Sequence, residues 1–206
     1  MRIRRMVTAA AASIAIVLSL SACGTPPWEA NATATPTATA STPAAAAPTP
    51  QATVDTVVNE LASGSTQRVL TAGNITLTVD YWSTLSMDQW TADANKPLSF
   101  SAVAALEGGD NRIYLSKVSI VTAVRGDAGQ LPSPEPLADN ANVAPGYFIS
   151  APYSYSQSFV LPGIDPAAEY VQLTVTYELL LQTTPTSSEY AKQTATDTLT
   201  IAIAQS

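Results

Sequence analysis

The sequence predicts an all-β, antiparallel β-sandwich of about seven strands over residues 69–206. Three observations predict it. Apolar residues recur at every second position along five stretches of this region, and a sixth stretch is apolar on both faces. Pro and Gly pairs with turn chemistry separate those stretches. Helical periodicity is confined to one short segment that precedes them.

That segment is 53–62, where Val54, Val57, Val58 and Leu61 fall at i, i+3, i+4 and i+7, before Gly64 and Ser65 break the pattern. A helix this short is marginal alone, so residues 51–68 are expected to be an amphipathic cap docked on the domain, with its connection. The first strand places Ile75, Leu77, Val79 and Tyr81 opposite Thr76, Thr78 and Asp80. The next carries Leu98, Phe100, Ala102, Ala104 and Leu106. Glu107-Gly-Gly-Asp-Asn111 then suggests a hairpin turn, because Gly and Asn tolerate positive φ. Residues 112–124 read as a strand with apolar side chains on both faces. In the Pro-rich segment 126–146, Leu131-Pro-Ser-Pro-Glu-Pro136 is either a functional loop or a cover for a sheet edge. Residues 147–161 hold Tyr147, Ile149, Tyr153, Tyr155, Phe159 and Leu161 on one parity. The clearest strand is 170–181, with Val171, Leu173, Val175, Tyr177, Leu179 and Leu181 apolar against Gln172, Thr174, Thr176 and Glu178. The last, 194–204, sets Leu199, Ile201 and Ile203 opposite Thr198 and Thr200.

The stretch Phe159-Val-Leu-Pro-Gly-Ile-Asp-Pro-Ala-Ala-Glu-Tyr170 leads into the clearest strand. It resembles the corner between the fifth and sixth strands of immunoglobulin-like and fibronectin type III domains. The resemblance rests on Ile164, Pro166, Ala168 and Tyr170, and it implies an immunoglobulin-like topology with the Tyr170 hydroxyl bonded to backbone upstream. The inter-sheet cysteine pair of antibody domains is absent, and Gln172 stands at the second cysteine position. Such sandwiches host many functions, so the resemblance assigns no functional residue.

Ahead of the domain, Arg2, Arg4 and Arg5 precede an apolar run from Met6 to Leu20, and Leu20-Ser-Ala-Cys23 follows. The run is too short to cross a hydrocarbon core of ~30 Å comfortably. This arrangement resembles the signal peptide and lipobox of bacterial lipoproteins. The resemblance implies removal of residues 1–22 between Ala22 and Cys23, lipidation of the Cys23 sulfur, and residence on the extracytoplasmic face of the cell membrane. Two acyl chains on one cysteine anchor stably where one does so only marginally. Cys23 is also the only cysteine, so the domain has no intrachain disulfide. Residues 24–50 are rich in Thr, Ala and Pro, and resemble the stalks of actinobacterial lipoproteins. With no apolar set to bury, this stretch is expected to be a disordered tether reaching up to about 80 Å.

The formal net charge is −7, and loss of the three leader arginines would take it to −10. That balance argues against nucleic-acid binding and opposes adhesion to anionic headgroups or wall polymers. The chain has no histidine, which excludes histidine-containing triads, the common zinc sites and blue-copper sites. No cofactor or metal is expected. Two carboxylate groupings remain as candidates for a glycosidase pair or a calcium site: Asp88 and Asp93 around Trp90, and Glu107 with Asp110. A solvated turn is the simpler reading of each, and no EF-hand spacing supports calcium. A solute receptor would need alternating strands and helices, which this pattern lacks.

Exposed aromatic residues are the remaining lead, since they stack on sugars or grip protein partners. Trp82, Trp90, Tyr153 and Tyr155 are the candidate contacts. The expected function is a non-enzymatic binding or scaffold module at the cell envelope. Its partners are membrane lipid, through acylated Cys23, and an envelope protein or glycan. The alternative is a carboxylate-dependent cell-wall glycan hydrolase or a carbohydrate-binding module.

Overall fold

The computed structural model describes residues 57–205, which form two antiparallel sheets. The first sheet orders β1 (Ser65–Ala72), β2 (Ile75–Trp82), β3 (Lys96–Leu106) and β8 (Tyr155–Leu161). The second orders β10 (Tyr190–Ala202), β9 (Tyr170–Gln182) and β4 (Ile113–Gly126). The short strands β5 (Gly129–Leu131), β6 (Leu137–Asn140) and β7 (Tyr147–Phe148) all pair along the free edge of β4. Seven strands are therefore long and three are edge fragments. Counted from β2, the order β2-β3-β8 facing β4-β9-β10 is that of immunoglobulin-like sandwiches, with β1 added outside. The expected leader, Ala22–Cys23 cleavage site and tether, with the first part of the helical pattern, lie outside the described residues.

Period two sets the core. On β9, Val171, Leu173, Val175, Tyr177 and Leu179 are fully buried, and on β2 so are Ile75, Leu77, Val79 and Tyr81. Strand β4 needs one further device. Its register against β9 shifts between Leu115 and Lys117, so Ser116 forms a bulge whose hydroxyl donates to the Glu178 carbonyl at 3.0 Å. Before the bulge Ile113 and Leu115 point inward, and after it Val118, Ile120 and Val124 do. The inward apolar residues on both parities thus belong to one buried face with a phase change, while Tyr114 and exposed Val121 face outward. The interior is joined across the sheets by the Tyr177 hydroxyl, which donates to that of Tyr81 at 2.9 Å. Burial, reinforced by the partner hydroxyl and by Asp197, raises the Tyr81 pKa well above its ordinary value, and burial also raises that of Tyr177.

Several local expectations need correction. Residues 57–63, the part of the helical pattern within the described region, form no helix: 57–59 have no regular structure and 60–63 make a turn. They still dock. Leu61 is fully buried, the Glu60 N–H donates to the Thr200 carbonyl at 2.9 Å, and the Thr200 N–H donates to the Glu60 carboxylate at 2.6 Å. Backbone pairing with the edge of β10 replaces helix capping, and Arg68 pairs with Glu60 on the same seam. Strand β1 (Ser65–Ala72) precedes the first expected strand, so the sandwich begins four residues before the expected boundary at 69, and the last strand begins at Tyr190, four residues earlier than expected. Glu107–Asn111 is not a hairpin, because β3 and β4 lie in different sheets; it crosses between them. Residues 147–161 divide into β7 and β8, again in different sheets. The segment 126–146 lies against β4 as an edge cover through β5 and β6. The Tyr170 hydroxyl makes no hydrogen bond among the described residues. That corner is held instead by Asp165, whose carboxylate accepts from the Ala167 N–H and whose carbonyl accepts from the Ala168 N–H.

Candidate functional site

The four candidate aromatic contacts do not converge. Trp90 is 0% exposed and its indole N–H donates to the Ser83 hydroxyl at 3.0 Å, so it belongs to the core and is unavailable to a partner. Trp82 is half-buried on the outer face of the first sheet, opposite in parity to Tyr81. Tyr155 is half-buried too. It stacks on Tyr147 at 4.8 Å, and its hydroxyl donates to the Asp139 carboxylate, which closes the seam between β8 and β6. Only Tyr153, at 59% exposed, is open to solvent.

Tyr153 leads to a different set. Its ring lies 5.0 Å from Phe148, Phe148 lies 5.5 Å from Tyr114, and Tyr114 meets Tyr190 edge-on at 5.7 Å. These rings form a stripe on the outer face of the second sheet. The positions follow from register: Phe148 of β7 pairs with Tyr114 of β4, and Tyr114 pairs with Leu180 of β9, next to β10. Strand β7 is only two residues long, and it reaches β4 because Gly146 precedes it. A Cβ on buried Gly146 would stand 2.6 Å from the Leu115 carbonyl oxygen. The Arg112 guanidinium sits over the Phe148 ring, 6.0 Å from its centroid.

Beside Phe148 opens a cleft of about 390 Å³ between the β3–β4 crossing and the segment after β7. Asp110, Asn111, Arg112 and Ser150 supply its polar lining, and Leu106 and Ala151 its apolar part. Two of these groups are fixed. The Asn111 amide donates to the Gln182 carbonyl at 2.7 Å, and the Ser150 hydroxyl accepts from the Ile113 N–H at 2.9 Å. The volume lies in the range of small-molecule sites, and rings beside a few oriented polar groups are their usual composition.

The carboxylate groupings fare differently. With Trp90 turned into the core, the Asp88–Trp90–Asp93 grouping loses its aromatic member. The Thr91 hydroxyl donates to Asp93 at 2.7 Å and holds its carboxyl below the ordinary range, the opposite of what a general acid needs. Asp110 lines the cleft, whereas Glu107 does not. Among the described residues, no group of three or more His, Cys, Asp or Glu side chains is placed to hold a metal ion.

Of this stripe the sequence singled out Tyr153, but not Tyr114, Tyr190 or the neighbouring Arg112. Tyr114 carried a signal, since it sits out of phase between buried Ile113 and Leu115. Tyr190 carried none, because it lies ahead of the apolar positions of its strand. No protein-family model matches the chain, and no curated protein matches its sequence.

Proposed function

We propose that this chain is a lipid-anchored extracytoplasmic lipoprotein whose sandwich is a non-enzymatic binding module at the cell envelope. Anchoring rests on the lipobox, Leu20-Ser-Ala-Cys23, behind its basic and apolar leader. The binding role is supported by one observation above the others: an outward-facing stripe of half-buried Phe148, Tyr114 and Tyr190, ending in exposed Tyr153, runs beside a polar cleft. Solvent-facing rings cost solubility without stabilising the core, and they are the side chains that dominate recognition surfaces.

Two measurements test this reading. A Cys23→Ala chain is expected to lose incorporation of labelled fatty acid and to leave the membrane fraction; retention of both would end the anchoring half. A photo-crosslinking residue at position 153, on the stripe, is expected to capture a defined envelope component in native cells. The same residue at position 69, on the outer face of the other sheet, is expected to capture none. Equal capture at both positions, or none at either, would remove the case for a binding face.

A further inference from the structure

The chain is acidic, yet its exposed positive charge is gathered on one face. Of the six basic residues among those described, Lys96 is fully buried, its ammonium donating to the carbonyls of Thr91, Ala92 and Ala94 at 3.0, 3.2 and 2.6 Å. Arg68 is turned into the seam with Glu60 and Asp197. Of the other four, Lys117, Arg125 and Lys192 stand at outward positions of the second sheet, and Arg112 immediately precedes β4 on the same parity as outward Tyr114. The outward strand positions of that sheet carry a single carboxylate, Glu178, which is taken by Lys192 at 2.5 Å. Neither Arg112 nor Lys117 has a carboxylate within ion-pair distance among the described residues. The outer face of the first sheet is different, with mainly Ser, Thr and Val, one aromatic residue, Trp82, and one charge, Asp80.

From this juxtaposition we infer that the outer face of the second sheet, centred on Phe148, Tyr114 and Arg112, binds an acidic polysaccharide. The inference rests on the binding-module reading above and names its ligand class. Each half of the site recognises a different part of such a polymer. Aromatic faces stack on the C–H faces of pyranose rings, burying apolar area and excluding water. The cations at the margins then pair with carboxylate or phosphate groups, and Arg112 presents a planar fork suited to either. Asn111 and Ser150 in the cleft, with Asp110, are the hydrogen-bonding groups available for sugar hydroxyls. A polymer fits better than one sugar, because the cations span the length of β4, from Arg112 just before it to Arg125 near its end. Overall net charge opposes such adhesion; segregation of charge reverses it locally, since fields fall off within about 10 Å at physiological salt.

The test titrates the full chain, held in non-ionic detergent, with oligogalacturonate as the acidic pyranose polymer. Neutral malto-oligosaccharide and inorganic polyphosphate are the comparison arms. Oligogalacturonate is expected to bind at least tenfold tighter than either and to weaken as salt rises. Phe148→Ala and Arg112→Gln are each expected to weaken it about tenfold or more. Arg112 is exposed, so its substitution leaves the core intact and keeps the test valid if Phe148→Ala perturbs folding. Equal affinity for polyphosphate would mean simple ion exchange, and equal affinity for malto-oligosaccharide would mean stacking alone; either overturns the inference, as does absence of binding. If no sugar binds while the crosslinker at position 153 still captures a component that position 69 does not, the ligand class is wrong and the binding face stands.

Discussion

The molecule carries two groups of aromatic side chains, one inside the sandwich and one on its outer face. The inner group centres on Phe100, with Tyr81, Tyr155, Phe159 and Tyr177 at centroid distances of 6.3, 5.9, 6.2 and 5.6 Å. The outer group runs from Tyr153 through Phe148 and Tyr114 to Tyr190 at 5.0 to 5.7 Å. Ring geometry is alike in both, and so are the residue types. Some members are near neighbours in the chain, as Tyr153 and Tyr155 are. What differs is the medium. Inside, each ring removes apolar area from water and its contacts hold two sheets together. Outside, the same rings rest on one sheet and leave their other side open. Ring contacts of this kind add roughly 0.5–1.5 kcal/mol beyond burial, so the outer group stabilises the fold little and is available for a ligand.

Truncation at the centre of each group is the strongest way to break this comparison. Phe100→Ala is expected to cost about 3–5 kcal/mol in denaturant unfolding, by lost transfer energy and the cavity left behind. Half-buried Phe148→Ala should cost well under half of that, and equal losses would erase the distinction. Next in size is Gly146→Ala, which drives a methyl group against the Leu115 carbonyl. About 1–3 kcal/mol of overpacking is expected. The crosslinking or ligand signal at position 153 should fall, while Tyr81 and Tyr177 stay protected from nitration. Loss of protection there would show that β7 supports the core and not only the stripe.

Alkaline pH acts on the inner group in a definite direction. Burial raises the folded pKa of Tyr81 and Tyr177 above the unfolded value, so the neutral phenol is favoured in the native state. Their contribution is complete below about pH 10 and is lost as pH rises beyond it, because the unfolded chain then ionises while the native chain does not. Stability should fall by up to about 1.4 kcal/mol per pH unit for each of these two tyrosines. Their tyrosinate absorbance should appear only with unfolding, and its appearance in the native state would show that water reaches the sheet–sheet interior. The smallest effect is at Tyr153→Ala, where the unfolding free energy should change by no more than about 0.5 kcal/mol while capture or binding at this face is lost.

Legibility varied by element for physical reasons. Strand β9 was readable because both its neighbours are strands and its inward set never changes phase. Strand β4 looked apolar on both faces, since a bulge at Ser116 moves the inward set from odd to even positions, and local periodicity has no term for a bulge. The cap at 57–63 had helical spacing, but its backbone groups found partners on Thr200, far away in the chain. The hairpin reading of Glu107–Asn111 failed for a related reason: Gly-rich turns serve hairpins and sheet crossings equally, and pairing partners choose between them. Among the candidate contacts, Trp90 was misplaced because a single aromatic in a loop has no periodicity to reveal its direction.

By itself, the sequence determined the fold class, the inward parity of its regular strands, the acidic balance and the lipobox resemblance centred on Cys23, all of which are written in neighbouring residues. Tertiary structure alone decided that Tyr114, Phe148, Tyr153 and Tyr190 share one stripe, and that four cations of an acidic chain share its face. Period two states which side chains point together along one strand. Which strands lie side by side depends on hydrogen bonds and buried area between distant segments, and the proposed recognition face spread over β4, β7, β9 and β10 exists only once those pairings have formed.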